Sequence, residues 1–175
     1  MVIPSLQPAL KKTPVKRSMK AKSQMRVAAG AVTAAMAAVN HVISEIVEAA
    51  AAAAAGAHTI QAEHLRAAVL GDDDLATALR DWFGADGKNH TASAPVPTPG
   101  TNTVSLELSG DARARLTGTR MELLEDITLY AAEVSRKDRR VTIQAGDVVA
   151  AVRLFLKGGL RERTLHNVRE ALKGK

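Results

Sequence analysis

The chain has 175 residues, of which 46% are hydrophobic and only 2% aromatic, a composition that favours an alanine-rich helical protein over a sheet protein. It contains no cysteine, which excludes disulfides, thiolate metal sites and thiol redox chemistry. The formal net charge of +6 favours an acidic partner, and this charge is unevenly spread: residues 1–26 carry +7, residues 27–100 carry −5 and residues 101–175 carry +4.

Residues 1–25 are rich in lysine, contain three prolines and lack acidic residues, which predicts a basic, partly disordered arm. A cleaved organelle leader has the same composition and is the alternative interpretation. Sequencing the mature N-terminus would distinguish the two.

A long amphipathic helix is predicted after the arm, because apolar residues recur at intervals of three and four. These residues are Met36, Val39, Ile43, Ile46 and Ala50. The stretch is apolar enough to raise the question of a membrane span, but four polar residues interrupt its middle, which predicts a helix of a soluble protein. The four are Asn40, His41, Glu45 and Glu48.

A short pattern then occurs twice. Residues 58–69 and 141–152 share the strings T-I-Q-A and A-A-V in one register, at a separation of 83 residues that is far too long for a solenoid repeat. A second long helical pattern precedes the second copy, and a short helical pattern follows each copy, at about 73–83 and 160–173. The apolar face of the second long helix is formed by Leu116, Leu123, Ile127, Tyr130 and Val134. The chain therefore contains two copies of one small helical unit.

Residues 84–103 contain three prolines and three glycines and predict a linker with a root-mean-square span of roughly 25 Å. One unit alone would expose the apolar face of its long helix. We therefore expect the two units to cross their long helices, with Thr59–Ile60 and Thr142–Ile143 each beside the start of the opposite unit.

Both halves resemble core histones. Residues 26–79 are similar to histone 2A through R-V-A-A-G-A at 26–31, S-E-I-V-E at 44–48, H-L at 64–65 and D-D-D-L at 72–75. Residues 109–173 are similar to histone 2B through R-R-V-T-I at 139–143, A-V-R-L-F-L at 151–156 and a G-G-L turn into a last helix. The order and spacing of these strings resemble a histone doublet, a fused 2A-like and 2B-like pair of the kind encoded by large DNA viruses.

The resemblance implies an all-α fold in which two histone folds of one chain form an intramolecular handshake pseudo-dimer. It divides the chain into the arm, with a short first helix opened by Pro14, a 2A-like fold at 26–83, the linker, and a 2B-like fold with a C-terminal helix at 104–175. Two departures from the family are the linker, which replaces the tail that docks histone 2A on histones 3 and 4, and the missing first helix of the 2B-like half.

The function that the resemblance implies is sequence-nonspecific binding and compaction of double-stranded DNA, in nucleosome-like particles with histone 3 and 4-type partners. The implied location is nuclear chromatin, or the virion and viral factory.

The paired geometry places Arg139 and Arg140 beside Arg26, where cations and a hydroxyl suit a phosphate, and Arg17 would reach into the minor groove. The predicted DNA-binding residues are Arg17, Lys20, Lys22, Arg26, Arg139, Arg140 and Thr142. A paired histone fold has two such loop sites. At the second, where residues 58–59 meet residues 109–111, there is little positive charge, so a phosphate site is predicted at the first loop site and not at the second.

Two further features follow from the resemblance. Arg140 and Asp147 have the spacing of the arginine-aspartate clamp of histone folds, which predicts a direct ion pair. An acidic patch that receives basic peptides corresponds to Glu45, Glu48, Asp72, Asp73 and Asp74. For the three aspartates, capping of the following helix is the simpler alternative. Three acids of the family are replaced here, by Asn40, Gly159 and Asn167.

No cofactor and no enzymatic activity are predicted. The histidines show no metal-ligand spacing beyond His41 and Glu45, one helical turn apart. There is no phosphate loop or nucleophilic triad. The rival to DNA packaging is a histone-fold module that docks other proteins, such as a transcription-factor subunit pair; the acidic middle of the chain favours it, and the basic arm argues against it.

Overall fold

The computed structural model describes residues 10–54, 57–84 and 107–174, with side chains described only as far as Leu79 in the second range. These residues are almost entirely helical, which confirms the all-α class. The helices are α1 (Lys12–Ser23), α2 (Ala29–Ala53), α3 (Ala62–Gly71), α4 (Asp73–Gly84), α5 (Gly110–Lys137), α6 (Ala145–Phe155) and α7 (Gly158–Lys173). The strands are β1 (Arg26–Val27), β2 (Thr59–Ile60), β3 (Glu107–Leu108) and β4 (Thr142–Ile143). Nearly all of the predicted linker lies outside the described residues.

The chain forms two compact units, and each unit contains segments from both sequence halves. One unit contains Ala9–Ile43 and Gly118–Lys175, and the other contains Ser44–Thr117. Among described residues the first unit has 18 Lys or Arg and 8 Asp or Glu, a net charge of +10, whereas the second has 4 and 9, a net charge of −5. We therefore name them the basic unit and the acidic unit.

In the basic unit, β1 pairs in parallel with β4, so that Arg26 lies opposite Thr142 and Val27 opposite Ile143. The amide of Arg26 donates to the carbonyl of Val141 at 3.2 Å, and that of Ala28 to the carbonyl of Ile143 at 3.0 Å. The predicted position of Thr142–Ile143, beside the start of the first half, is confirmed.

The acidic unit repeats this arrangement with β2 and β3, which pair in parallel with Thr59 opposite Glu107 and Ile60 opposite Leu108. The amide of Glu107 donates to the carbonyl of His58 at 3.1 Å, and that of Ser109 to the carbonyl of Ile60 at 3.0 Å. The predicted position of Thr59–Ile60, beside the start of the second half, is also confirmed. In both units the second residue of each two-residue strand is buried.

Most residues of the predicted apolar faces of the two long helices are buried, while Met36 and Val134 are partly exposed and Tyr130 is exposed. Val39 and Ile46 of α2 and Leu123 of α5 have no exposed surface, but Tyr130 is 40% exposed. The prediction that Tyr130 belongs to the buried face is wrong, because α5 instead buries Ala131, one position further round the helix.

Helix α2 has the length and hydropathy of a membrane-spanning helix. More than half (56%) of its most apolar 18-residue window is buried within the protein, as in the core helix of a folded domain.

Helix α1 confirms the short first helix expected within the arm, and it corrects the expected start of that helix. The helix begins at Lys12, so Pro14 is its third residue instead of its first. Proline is tolerated there because the first turn of a helix has no internal partner for its N–H groups. Val15, Met19 and Ser23, spaced by four, are buried and attach the helix to the basic unit, while its basic residues remain exposed.

Candidate nucleic-acid interface

A tight turn connects α5 to β4 in the basic unit. The amide of Arg139 donates to the carbonyl of Arg136, and that of Arg140 to the carbonyl of Ser135, both at 2.9 Å. Arg139 has φ 55°, a left-handed conformation that is unusual for a residue with a side chain. Its side chain is exposed, and among the described residues it makes no hydrogen bond or ion pair.

The ion pair predicted between Arg140 and Asp147 is present. The guanidinium binds both carboxylate oxygens, with Nη1 at 2.9 Å from Oδ2 and Nη2 at 2.6 Å from Oδ1. Nη2 also donates to the carboxylate of Asp138. Both terminal nitrogens of Arg140 are therefore occupied by carboxylates, and its charge is compensated within the turn.

Asp147, in the first turn of α6, accepts several hydrogen bonds from this region, and its side chain is only 3% exposed. The amide of Gln144 donates to Oδ2 at 2.7 Å, which caps α6. The hydroxyl of Ser135 lies 2.8 Å from the same oxygen and 3.1 Å from the carbonyl of Thr142. Burial alone would raise the pKa of Asp147, but the hydrogen bonds from Arg140, Gln144 and Ser135 outweigh it, so the pKa lies below its usual value.

Two contacts attach the end of α1 to α5. Lys22 forms an ion pair with Glu125, and Arg136 Nη2 donates to the carbonyl of Ser23 at 2.9 Å. Lys22, which the sequence predicts to bind DNA, thus already has a carboxylate partner. Next to Glu125, burial is the main cause that raises the pKa of Asp126 above its usual value, while the charge of Lys22 opposes the shift.

The remaining predicted cations are exposed and, among the described residues, have no ion-pair partner. They are Arg17, Lys20, Arg26 and Arg139. The β1–β4 pairing places Arg26 opposite Thr142, three positions after Arg139. Thr142 is partly exposed. The basic unit therefore has one exposed, unpaired cation in β1 (Arg26) and one in the turn before β4 (Arg139), an arrangement suited to a phosphate.

The second strand pair, β2–β3 in the acidic unit, carries negative charge. Glu107 is exposed directly opposite Thr59, and Asp111 lies in the first turn of α5. Sequence analysis identified Asp111 but not Glu107. The alternating polar and apolar residues of S-L-E-L-S at 105–109 were the available signal for a short strand with Glu107 on its outer face.

The five residues of the predicted acidic patch all belong to the acidic unit, but they have different environments. Asp72 caps α4, since its Oδ1 accepts the amides of Asp74 and Leu75 at 2.9 Å each. Asp73 and Glu48 are exposed. In the basic unit, Asn167 donates to the carbonyl of Arg163 and is 3.2 Å from Nδ1 of His41, so the amide at this replaced acidic position is engaged within the protein.

These environments allow helix capping and the expected peptide binding to be tested separately. Changing Asp72 to Ala should lower the free energy of unfolding by about 1 kcal/mol, because two helix amides lose their acceptor. Changing Asp73 and Asp74 together to Asn should leave folding intact and abolish the binding of a basic peptide. Chemical denaturation and peptide titration would measure the two effects. Unchanged peptide affinity in the Asn variant would assign these residues to the helix end alone.

No group of three or more His, Cys, Asp or Glu residues that could hold a metal ion occurs within the described part of the chain. No model of a known protein family matches the chain, and no curated protein sequence matches it. The interface is therefore interpreted from its own residues and geometry.

Proposed function

We propose that the chain is a histone-fold pseudo-dimer, a 2A-like and a 2B-like half joined in one polypeptide. The support is the repeated unit together with the two strand pairs. In each pair, the extended segment after one half's long helix bonds to the segment before the other half's long helix. Each compact unit accordingly draws on both halves, as paired histone folds require.

We further propose that the protein binds and compacts double-stranded DNA without base specificity, through the basic unit. The observation that carries this proposal is the pair of uncompensated cations, Arg26 in β1 and Arg139 in the turn before β4. The clamp between Arg140 and Asp147 fixes the turn from which Arg139 projects. Lys20 and Arg17 on α1 are exposed cations of the same unit, and the proposal assigns to Arg17 the role of entering a minor groove.

The mechanism is phosphate neutralisation with release of counterions. Contacts to phosphate do not distinguish one base from another, so the affinity is independent of DNA sequence. Because binding releases counterions, the affinity falls as the salt concentration rises. A histone 3 and 4-type pair, in chromatin or in a viral particle, is the protein partner that this proposal implies.

Titration of two duplexes of unrelated sequence at several salt concentrations tests the proposal. We expect equal affinities and a linear fall of log K with log salt, by about 0.9 for each phosphate engaged. A strong preference for one duplex, or an affinity that does not respond to salt, would contradict it.

The acidic unit favours a second candidate, a module that docks other proteins. Its net charge of −5 and the exposed Glu48, Asp73 and Glu107 would repel DNA and attract basic segments. If the two duplexes bind weakly while basic peptides bind tightly, this second function is the primary one.

The pairing of the halves leads to a prediction about the linker. Cleavage near Pro97 should leave the two fragments associated, because the strand pairs and the buried helix faces, and not the covalent connection, hold them together. Size-exclusion chromatography of the cleaved protein, with mass spectrometry of the peak, would measure this. Fragments that separate and remain folded as monomers would rule out the handshake.

A further inference from the structure

The start of α1 contains a hydroxyl residue that neither the fold nor the proposed DNA contact uses. Of the six prolines in the chain, two directly follow a threonine, at residues 13–14 and 98–99. At the first of these pairs the third residue after the threonine is basic (Lys16), whereas at the second it is not. Thr13, Pro14 and Lys16 are all exposed. The basic unit therefore presents a surface hydroxyl that is followed, at fixed spacing, by a proline and a cation.

The first turn of α1 lacks the negative group that the start of a helix favours. It contains no acidic residue, and no side chain of the described residues caps it; the N-cap residue is Lys11. The start of a helix carries N–H groups without an internal partner and the positive end of the helix dipole, and both attract an anion. Thr13 is the second residue of α1, so a phosphate on its hydroxyl would lie at this positive end.

Two cations lie within reach of such a phosphate. Lys16 and Arg17 follow Thr13 by three and four residues, so they lie one helical turn away. Both are exposed, and among the described residues neither has an ion-pair partner. Thr13 and Arg17 also line the same surface pocket, which has a volume of about 330 Å³. Because a phosphate adds nearly two negative charges and three strong acceptor oxygens, it would pair with these cations.

The backbone around Thr13 is suited to entering the binding groove of an enzyme. A residue that precedes a proline favours an extended backbone, and the ends of helices open more readily than their centres. Thr13 meets both conditions. Further along α1, Met19 and Ser23 are buried, so the first turn can open while the rest of the helix stays attached to the basic unit.

We propose that Thr13 is a phosphorylation site, and that its phosphate pairs with Arg17 and weakens the contact of Arg17 with DNA. The enzyme implied is a proline-directed protein kinase. Pro14 has no backbone N–H, so it suits a groove with an apolar pocket at that position, and Lys16 suits an acidic subsite.

The phosphoryl donor in this reaction is ATP. Its γ-phosphoryl group is transferred to the hydroxyl oxygen of Thr13, the bond between the γ-phosphorus and the bridging oxygen of the leaving ADP breaks, and the hydroxyl proton is released. The site itself is independent of DNA binding, whereas the effect on Arg17 rests on the proposed function.

Incubation of the full chain with a cyclin-dependent kinase and ATP, followed by peptide mass spectrometry, tests the site. We expect a phosphate on Thr13 and much slower labelling of Thr98, the matched threonine-proline pair without the basic residue. Lys16→Ala should slow the labelling of Thr13 roughly tenfold, because one charge pair with the kinase is lost. A Thr13 that is not labelled, or a Thr98 that is labelled equally fast, would overturn the inference.

Titration of a DNA duplex with the phosphorylated and the unmodified chain tests the consequence. Phosphorylation should weaken binding and flatten the salt dependence of log K by about 0.9 for each cation that the phosphate neutralises. The thermal stability should not fall, since the phosphate compensates the helix dipole. Thr13→Glu should weaken binding in the same direction, whereas Thr117→Glu, an equal change of charge at an exposed threonine of the acidic unit, should do much less.

The two measurements fail separately. If the unmodified chain binds DNA in a salt-dependent manner and the phosphorylated chain binds equally well, the proposed effect on Arg17 is overturned. If the unmodified chain does not bind DNA, the proposed function is contradicted, and the labelling of Thr13 still decides whether the site exists.

Discussion

The double variant Arg26→Ala with Arg139→Ala is expected to lose affinity for every duplex alike and to flatten the salt dependence of log K by roughly two units. Each arginine is exposed and has no ion-pair partner among the described residues, so each can neutralise one phosphate. One phosphate contact contributes about 0.9 to the slope. Fluorescence anisotropy with a labelled duplex, repeated across salt concentrations, would measure both quantities.

A charge-matched control is Arg113→Ala with Arg169→Ala. Both residues are exposed, neither has an ion-pair partner among the described residues, and neither belongs to the strand pair. This control should change the slope by much less, as should His58→Ala with Thr59→Ala at the acidic strand pair. Equal losses in all three double variants would show that affinity follows total charge, and the one-sided phosphate site would be wrong.

Replacing Asp147 by Asn is expected to give the largest loss of stability of any single change at the interface. The carboxylate is almost fully buried and accepts bonds from Arg140, the Gln144 amide and the Ser135 hydroxyl. We expect the free energy of unfolding to fall by roughly 2 kcal/mol, because these donors lose a shared acceptor that is buried. Asp138→Asn is the matched control: its carboxylate binds the same arginine but is 59% exposed, so its removal should have little effect.

The same substitution predicts a change in acid stability. The pKa of Asp147 is lower in the folded protein than in the unfolded chain, so its ionisation stabilises the fold above the unfolded value of about 3.9. This contribution is lost as the pH falls through the lower, folded value. Thermal unfolding of the wild type and of Asp147→Asn should therefore differ at pH 7 and converge in strong acid. A constant difference across pH would show that the carboxylate's charge is not what stabilises the turn.

The sequence alone was sufficient for the local structure. Apolar periodicity of three and four predicts α2 and α5, because a helix face is defined within a few residues. The repeated T-I-Q-A string located β2 and β4, and the resemblance of the Arg140–Asp147 spacing to the arginine-aspartate clamp of histone folds indicated their ion pair. Each of these patterns is read over a short stretch of chain. The same local reasoning failed at Tyr130, because the side of a helix that is covered depends on the element packed against it.

Only the tertiary structure decided how charge is grouped and which cations remain uncompensated. By sequence the positive charge lies at the two ends of the chain, but folding collects α1, the α5–β4 turn and α7 into one unit of net charge +10. Lys22 and Glu125 are 103 residues apart in the chain, and Arg136 and Ser23 are 113 apart. Sequence spacing does not predict contacts between residues so far apart in the chain, because these contacts form only when α1 packs against α5. That packing, and not composition, leaves Arg26 and Arg139 as the uncompensated cations beside the β1–β4 pair.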